Sequence, residues 1–277
     1  MIKSIKLSAI SYCFLSIAYC LILSSCQKVI DINLNAAAPQ IVIEGSVNDQ
    51  PGPYYINLSQ TVNFSETNVF PPVTGALVKI TDNTGLTDIL TEVSPGSYRT
   101  STLQGVPGKS YTLSVSSNGK NYTSVSNMPA PVNIDSLTII TTTGGFGGPR
   151  KRLQANFQDP SGIANFYKFG ITHYVVINNV VQYSIIEKSI SITSDKLQDG
   201  KMLTYNLSGR NTLISGDSIV VALQTIDQGV FDYFRTLGQA DNNAASATPA
   251  NPTSNITNGA LGYFSAYAVR SKGIVIP

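Results

Sequence analysis

Apolar and polar residues alternate with a period of two through most of this chain after residue 40. Ile56 and Leu58, for example, alternate with Tyr55 and Asn57. Successive side chains of a strand point to opposite faces of a sheet, so this period predicts half-buried β-strands. Turn dipeptides lie between the runs; Asn118-Gly119 is the strongest, because both central residues of a type I′ turn need a positive φ. The pattern predicts a mainly β protein.

The spacing of these strands predicts two β-rich domains. Residues 40–128 contain about seven short strands with frequent turns, which is typical of an immunoglobulin-like or transthyretin-like β-sandwich. Met128-Pro129-Ala130-Pro131 marks the boundary, because proline cannot donate a backbone hydrogen bond to a neighbouring strand. Residues 132–277 form the second β-rich domain, with longer strands. A chain of 277 residues is long enough for both.

One segment of the second domain has a helical period instead. Val230, Phe231, Phe234 and Leu237 recur at helical spacing after Asp227, which suits an N-cap. We therefore predict one short helix near residues 227–240, packed against the second sheet. The small and polar segment 241–258 follows; a loop this long is commonly functional or disordered. Two closing strands are expected at 261–269 and 274–276.

The N-terminus has the pattern of a lipoprotein signal peptide. Lys3 and Lys6 precede a 17-residue apolar run, 7–23, which ends in Leu23-Ser24-Ser25-Cys26, a lipobox. We expect residues 1–25 to be removed between Ser25 and Cys26, and the Cys26 thiol to receive a diacylglycerol. The alternative is a transmembrane anchor, but the run is shorter than the roughly 20 apolar residues that a bilayer span needs.

Cysteine usage agrees with this interpretation. Cys13 and Cys20 lie in the removed segment, which leaves Cys26 alone in the mature chain. The mature protein can then form no internal disulfide and must be stabilised by its core. Palmitate-type acyl chains on Cys26 would make membrane attachment effectively permanent. Residues 26–39 have neither helical period nor core pattern, so we predict a tether.

The charge balance argues against a nucleic-acid partner. The chain has 18 Lys and Arg against 16 Asp and Glu, and two of the lysines lie in the predicted signal peptide. The mature chain would therefore carry no net charge. Binding to nucleic acid depends on basic residues that neutralise phosphates and release counterions, so this class of function is excluded.

No catalytic motif is found in the sequence. His173 is its only histidine; zinc sites need several nitrogen or sulfur ligands, so a His/Cys zinc site is excluded. His173 lies in a predicted strand, where we interpret it as a structural residue. Carboxylate chemistry, as in glycosidases, and an oxygen-ligated calcium site stay open. We interpret Asp82-Asn83-Thr84-Gly85 as a turn. The prediction is a protein that is not an enzyme and carries no cofactor or metal.

Two further segments are candidates for contact with other molecules. Tyr263, Phe264 and Tyr267 lie in a predicted strand that places the two tyrosines on one face and Phe264 on the other; they belong to the core or contact a partner. The glycine-rich segment 144–148 precedes Arg150, Lys151 and Arg152. We interpret it as a flexible loop with a solvated basic tip; contact with lipopolysaccharide phosphates or an acidic partner is the alternative.

An ordered set of short motifs resembles a known family. The set comprises the lipobox, Ile41-Val42-Ile43-Glu44-Gly45, the strand and turn 76–85, Pro107-Gly108-Lys109-Ser110-Tyr111-Thr112-Leu113, Asn251-Pro252, Asn255-Ile256, and Gly259-Ala260-Leu261-Gly262-Tyr263-Phe264. It resembles the Bacteroidetes lipoproteins called domain of unknown function 4249. The resemblance implies a cell-envelope lipoprotein whose gene often neighbours a TonB-dependent outer-membrane receptor. It carries over no catalytic residue.

Bacteroidetes also glycosylate exported proteins at Asp-Ser/Thr-apolar triplets. Asp135-Ser136-Leu137 and Asp217-Ser218-Ile219 match this pattern, which makes Ser136 and Ser218 candidate O-glycosylation sites. Acidic residues after the lipidated cysteine sometimes mark outward display. Residues 27–31 are a poor version of that signal, so the face of the outer membrane is left undetermined.

Three functions remain after these exclusions. The leading hypothesis is a non-enzymatic accessory or binding module, anchored in the outer membrane, that associates with a TonB-dependent receptor or its cargo. The second is an envelope hydrolase that uses carboxylates, which needs two acidic side chains about 5 to 9.5 Å apart. The third is a structural or adhesive surface module.

Overall fold

The computed structural model describes residues 38–63, 66–67, 69–142, 150–178, 180–187, 190–207, 213–242 and 251–277. The predicted signal peptide, its Ser25–Cys26 cleavage site, the lipidation site at Cys26 and the tether up to residue 37 lie outside the described residues. Residues 38–277 form one compact unit. No helix in the described ranges is both long enough and apolar enough to span a membrane.

Sixteen strands and one helix make up the described chain. The first eight strands are β1 (Ile41–Asn48), β2 (Tyr55–Gln60), β3 (Leu77–Asp82), β4 (Thr87–Ile89), β5 (Thr91–Ser94), β6 (Ser97–Arg99), β7 (Ser110–Ser117) and β8 (Lys120–Asn127). The others are β9 (Ser136–Thr142), β10 (Arg150–Gln158), β11 (Phe166–Ile177), β12 (Val180–Ile186), β13 (Ser191–Ser194), β14 (Met202–Leu207), β15 (Ser218–Ile226) and β16 (Leu261–Val275). The helix is α1 (Gln228–Asn242).

These strands form three sheets. The largest has nine strands in the order β12-β11-β15-β16-β1-β2-β6-β5, with β13 also paired to β11. A four-stranded sheet has the order β4-β3-β7-β8, and a three-stranded sheet has the order β14-β10-β9. The predicted fold class, mainly β with sandwich-like packing and one short helix, is confirmed.

Two hydrophobic cores lie between these sheets. In the first, inward residues of β1 and β2, such as Ile43 and Ile56, pack with Ile80 and Leu113 of the four-stranded sheet. In the second, residues of β11 and β15 pack with the three-stranded sheet; the Phe157 and Tyr167 rings meet edge to face, with centroids 4.8 Å apart. Inward side chains alternate along these strands, as the period of two predicts.

Strand β16 joins β12, β11 and β15 on one side of the nine-stranded sheet to β1, β2, β6 and β5 on the other. Its first half pairs in parallel with β1, and its second half pairs antiparallel with β15. Phe264 and Ala266 of β16 belong to the first core, although they lie more than a hundred residues after Met128 in the sequence. Ile256, Ala260 and Ala268 also belong to the first core, so this core draws residues from both sides of the predicted boundary, whereas the second core begins at Val132.

The closing strands differ from the prediction. Two strands, 261–269 and 274–276, were expected, whereas the structure has one strand of 15 residues. Residues 270–273, between the two predicted strands, lack apolar alternation. Their polar side chains form bonds instead: Arg270 bonds to Asp49, and Lys272 bonds to the Asp135 carbonyl at 2.8 Å. The backbone of residues 270–273 still pairs with β15, so the strand continues.

Residues with a positive φ lie at a hairpin turn and at a close contact between two strands. Asn118 and Gly119 have φ values of 49° and 73° and join β7 to β8, as expected for the predicted Asn-Gly hairpin. Gly262 has a φ of 93°, and an added Cβ would lie 2.1 Å from the Ile43 carbonyl oxygen. Glycine at this position therefore allows β1 and β16 to approach each other.

Candidate binding surface

Asp227 fixes the start of α1 and connects the helix to β8. Its Oδ1 accepts a hydrogen bond from the Val230 amide at 2.9 Å, which is N-cap geometry. Its Oδ2 accepts hydrogen bonds from the Ser126 hydroxyl and, at 3.0 Å, from the Asn127 amide, both in β8. The predicted N-cap is thus present, and the helix begins at Gln228 and runs two residues beyond its predicted end.

Helix α1 packs on the face of the nine-stranded sheet that points away from the two cores. Its buried residues Val230, Tyr233 and Phe234 form a third apolar cluster with side chains from the sheet. The members of this cluster outside the helix are Phe166, Ile190, Ile192, Ile226, Tyr263 and Tyr267. The helix contacts β11, β13 and β16 of this sheet, and we call this contact region the junction.

Three aromatic rings meet at this junction. The Tyr263 ring lies 4.9 Å from the rings of both Tyr233 and Phe234, and Tyr233 and Phe234 meet edge to face at 5.2 Å. Burial, reinforced by the charge of nearby Glu44, raises the pKa of Tyr233 and Tyr263 to about 12. Both phenols are therefore neutral hydrogen-bonding groups at physiological pH.

Polar groups flank these rings along the sheet. Tyr267 is half-buried, and its hydroxyl accepts a hydrogen bond from Asn48 Nδ2 at 3.2 Å. Lys168, also half-buried, places its amine 4.8 Å from the centre of the Phe234 ring and 3.3 Å from Gln224 Oε1. Burial lowers the pKa of Lys168. We name Tyr263, Tyr267 and Lys168, supported by Tyr233 and Phe234, the tyrosine surface.

The structure separates the three aromatic residues that were proposed as partner contacts. Tyr263 and Tyr267 lie together on the helix-covered face of β16, as the alternation predicted. Phe264 points to the opposite face and is fully buried in the first core. The two tyrosines are half-buried on this outer face, whereas Phe264 contributes to stability.

Residues 251–260 hold β16 against the four-stranded sheet. Asn255 bonds to both the amide and the carbonyl of Phe264, at 3.0 and 2.7 Å. The Ser124 hydroxyl bonds to the Asn255 carbonyl at 2.9 Å, and Thr257 bonds to Thr123. This half of the loop predicted at 241–258 is a structural connection, while residues 243–250 lie outside the described part.

Residues 27–273 match the family model described as Domain of unknown function (DUF4249). The chain belongs to the DUF4249 family. The resemblance found from the sequence motifs is thus confirmed at the level of the family. None of the curated proteins matches this chain.

Among solved structures, the DUF4249 protein is similar to a DUF4785 family protein from Legionella pneumophila. The two are 11% identical, and the match covers 69% of this chain and 53% of the other. The DUF4249 protein therefore spans about half the length of that relative. The TM-score is 0.23, which is too low to indicate a common fold.

His173 of the DUF4249 protein is held by a buried carboxylate. Its Nε2 lies 2.8 Å from Asp217 Oδ2, and both side chains are buried. The other Asp217 oxygen accepts the Val176 amide at 2.9 Å. That backbone hydrogen bond, with the one from His173, lowers the pKa of Asp217 despite burial. This environment agrees with a structural role for His173.

The two candidate glycosylation serines lie in strands. Ser136 begins β9, and its hydroxyl accepts a hydrogen bond from Asn156 Nδ2 at 3.1 Å. Ser218 begins β15 directly after buried Asp217. Both serines are half-buried. Their half-buried positions in strands limit the access of a modifying enzyme to the folded protein. Glycosylation of Ser136 and Ser218 stays a prediction.

Two predicted loops are the turn at residues 82–85 and the glycine-rich segment 144–148 with its basic end. Asp82 Oδ1 accepts hydrogen bonds from the Thr84 amide, the Thr84 hydroxyl and the Leu86 amide, which is the geometry of a turn. The glycine-rich segment lies outside the described residues, apart from its basic end. Arg150, Lys151 and Arg152 are exposed and begin β10.

An acidic cluster was missed by the sequence analysis. Asp159, Asp195 and Asp199 place carboxylate oxygens within 4.8 Å of one another, and the first two are buried. Asp159 accepts the Tyr167 hydroxyl and the Gly200 amide, Asp195 accepts the Asn165 amide, and Asp199 accepts the Gly162 amide. Their proximity results from two turns that meet in space, 159–165 and 195–201.

Carboxylate oxygens are the ligands that Ca²⁺ prefers in proteins, so this cluster has the donor chemistry for a hard cation. Each carboxylate is also accounted for by hydrogen bonds within the protein. Burial, together with the hydrogen bond to Asp159, strongly raises the pKa of Tyr167. The Tyr167 phenol is therefore a permanent donor to Asp159, and we assign no ion to the cluster.

Proposed function

We propose that this DUF4249 protein is a lipid-anchored, non-enzymatic accessory protein of the outer membrane that binds a TonB-dependent receptor or its cargo. The observation that carries the proposal is the tyrosine surface. Tyrosine and other aromatic residues are enriched in the centres of protein interfaces, because a rigid ring supplies contact area while its hydroxyl supplies a hydrogen bond.

The construction of this surface supports a binding role. Tyr233 and Phe234 are buried and fix the orientation of Tyr263 from behind. Asn48 holds the hydroxyl of Tyr267. Side chains that are already ordered lose little conformational entropy when a partner binds. Exposed Glu44 and half-buried Lys168 add charges of opposite sign at the rim, where charged pairs contribute to specificity.

The lipid anchor would hold this surface close to a membrane receptor. The argument for the anchor is the sequence pattern that ends at Cys26. Replacing Cys26 with Ser should release the protein from the membrane fraction of its native host, because the acyl chains have no other attachment point. Retention of Cys26→Ser in that fraction would support an uncleaved span instead.

Affinity purification from crosslinked native membranes tests the partner. The full-length tagged protein should capture a TonB-dependent receptor. The Tyr267→Ala variant should reduce the captured amount about fivefold or more, because truncation of a tyrosine at an interface hot spot costs more than about 1 kcal/mol.

Tyr55→Ala is the matched control for this experiment. Tyr55 is 45% exposed and lies in β2, two strands from β16 in the sheet order, so its loss should leave capture unchanged. Absence of a receptor from all samples, or equal losses with Tyr55→Ala and Tyr267→Ala, would overturn the proposal.

A further inference from the structure

Strand β12 lies at one end of the strand order of the nine-stranded sheet. One side of β12 pairs with β11 from Val180↔Ile177 to Ile186↔Thr172. The strand stands at the end of the sheet order, and no described residue pairs with its other side. The free amide and carbonyl groups of such an edge can accept another strand.

The side chains of this edge are exposed and apolar. Val180 is 59% exposed, Val181 55%, Tyr183 56% and Ile186 73%. The strand sequence, VVQYSII, contains no charged residue and no proline. Soluble proteins usually protect an edge strand with a charge, a proline or a β-bulge, or keep it short. At the opposite end of the same sheet, β5 has four residues and carries Glu92, whereas β12 has seven residues, no charge and only the bulge at Gln182.

The hydropathy of β12 is symmetric about Tyr183. Reading outward from Tyr183, Gln182 corresponds to Ser184, Val181 to Ile185, and Val180 to Ile186. In an antiparallel pair of identical strands related by a two-fold axis, each residue faces its counterpart on the other side of the centre. Apolar β-branched residues would then face each other, and polar residues would face polar residues.

We propose that β12 pairs antiparallel with β12 of a second copy of this chain, with the two-fold axis at Tyr183. Cross-strand pairs of aromatic and β-branched residues stabilise a sheet, and the strand brings no like charges together. A β-bulge at Gln182, where the register with β11 shifts, increases local twist. The bulge falls at the polar position, and the apolar pairs lie on both sides of it.

The proposed register defines a charge-swap test. Val180 of one copy faces Ile186 of the other, and both residues are exposed, so substitution there leaves the cores intact. Val180→Lys combined with Ile186→Lys would bring two lysines together at each end of the interface. Val180→Lys combined with Ile186→Glu would place a lysine opposite a glutamate at each end.

The measurement is the mass of the full-length, detergent-extracted protein against concentration, by light scattering corrected for bound detergent. The unmodified chain should form two-copy particles. The double-lysine variant should raise the dissociation constant at least about tenfold, and the lysine–glutamate variant should restore most of the lost affinity. Ile89→Lys, an exposed site on edge strand β4, is the control and should not alter the mass.

Three outcomes would overturn the proposal. The first is a one-copy mass for the unmodified chain at every concentration. The second is an equal loss of association in the two charged variants, which would show that the register is wrong. The third is a mass that corresponds to more than two copies, or association with a different protein and not with a second copy of this chain. Receptor capture can fail while the two-copy mass persists, so this proposal and the proposed function are tested separately.

Discussion

At the scale of single residues, buried carboxylates bind backbone amides in several parts of the protein. Asp88 is an example: its Oδ2 accepts the amides of Ser101, Thr102 and Leu103, at 2.7–2.9 Å. Burial acts to raise the pKa of Asp88, but these amides outweigh it and the pKa is lowered. The ionised form of Asp88 therefore stabilises the folded state.

The lowered pKa of Asp88 predicts a specific loss of stability in acid. A carboxyl whose pKa is lower in the folded than in the unfolded state contributes stability that is present above its unfolded pKa, 3.8, and is lost as the pH falls through its folded pKa. Asp88→Asn should lower the free energy of unfolding at pH 7 by about 2 kcal/mol. The variant should also lose less further stability than the parent between pH 5 and pH 2.

Urea unfolding at a series of pH values measures both effects. Asp135→Asn is the control, because Asp135 is exposed and its replacement should leave the pH dependence unchanged. A parallel loss of stability with acid in Asp88→Asn and in the parent would contradict this account.

Residue-scale prediction from the sequence worked where the signal is local. The Asp227 cap and the opposite faces of Tyr263 and Phe264 follow from spacing over a few residues, and the structure contains both. The Asp159, Asp195 and Asp199 cluster did not follow, because 36 residues separate its first two members and only the fold brings the turns together. Asp in a turn after a strand is too common a feature to locate such a cluster.

At the scale of elements, α1 depends on its cap as much as on its apolar face. Asp227 satisfies the Val230 amide and also accepts hydrogen bonds from Ser126 and Asn127. The Ser126 hydroxyl in turn accepts the Ala266 amide at 2.8 Å. One carboxylate thus joins the helix, β8 and β16.

Replacing Asp227 with Ala should lower the free energy of unfolding by about 2 to 4 kcal/mol. About 1 kcal/mol corresponds to the lost cap, and the rest to donors in β8 that lose their acceptor. Asp227→Asn should lower the free energy of unfolding by less than Asp227→Ala, because the asparagine side-chain oxygen can still cap the helix. It should still destabilise the protein, because the side-chain nitrogen cannot accept hydrogen bonds from β8. Chemical denaturation monitored by circular dichroism gives the three values.

Asp232→Ala is the matched control within the same helix. Asp232 forms an exposed ion pair with Arg235, and pairs of this kind contribute at most about 1 kcal/mol. Equal effects for Asp232→Ala and Asp227→Ala would mean that the bonds to β8 contribute nothing.

At the scale of the whole molecule, the pairing of β16 with β1 was not predicted. A period of two predicts that a segment is a strand and which residues face the core, but it does not identify the neighbouring strand. Val42 pairs with Leu261, a contact between opposite ends of the described chain. The two predicted halves therefore share a sheet, and a mutation in β16 can affect both.

The shared strand predicts that the two cores unfold together. Phe264 is fully buried in the first core, and the strand that carries it pairs with β15, which lines the second core. Phe264→Ala should lower the free energy of unfolding by about 3 to 5 kcal/mol. Hydrogen exchange should report the same loss in β7, from the first core, and in β11, from the second, as expected for one cooperative unit. Leu223→Ala, in the second core, provides the reciprocal test and should also accelerate exchange in β7. Exchange that accelerates only in the core containing the substitution would show that each core is independently stable and that β16 connects them without coupling them.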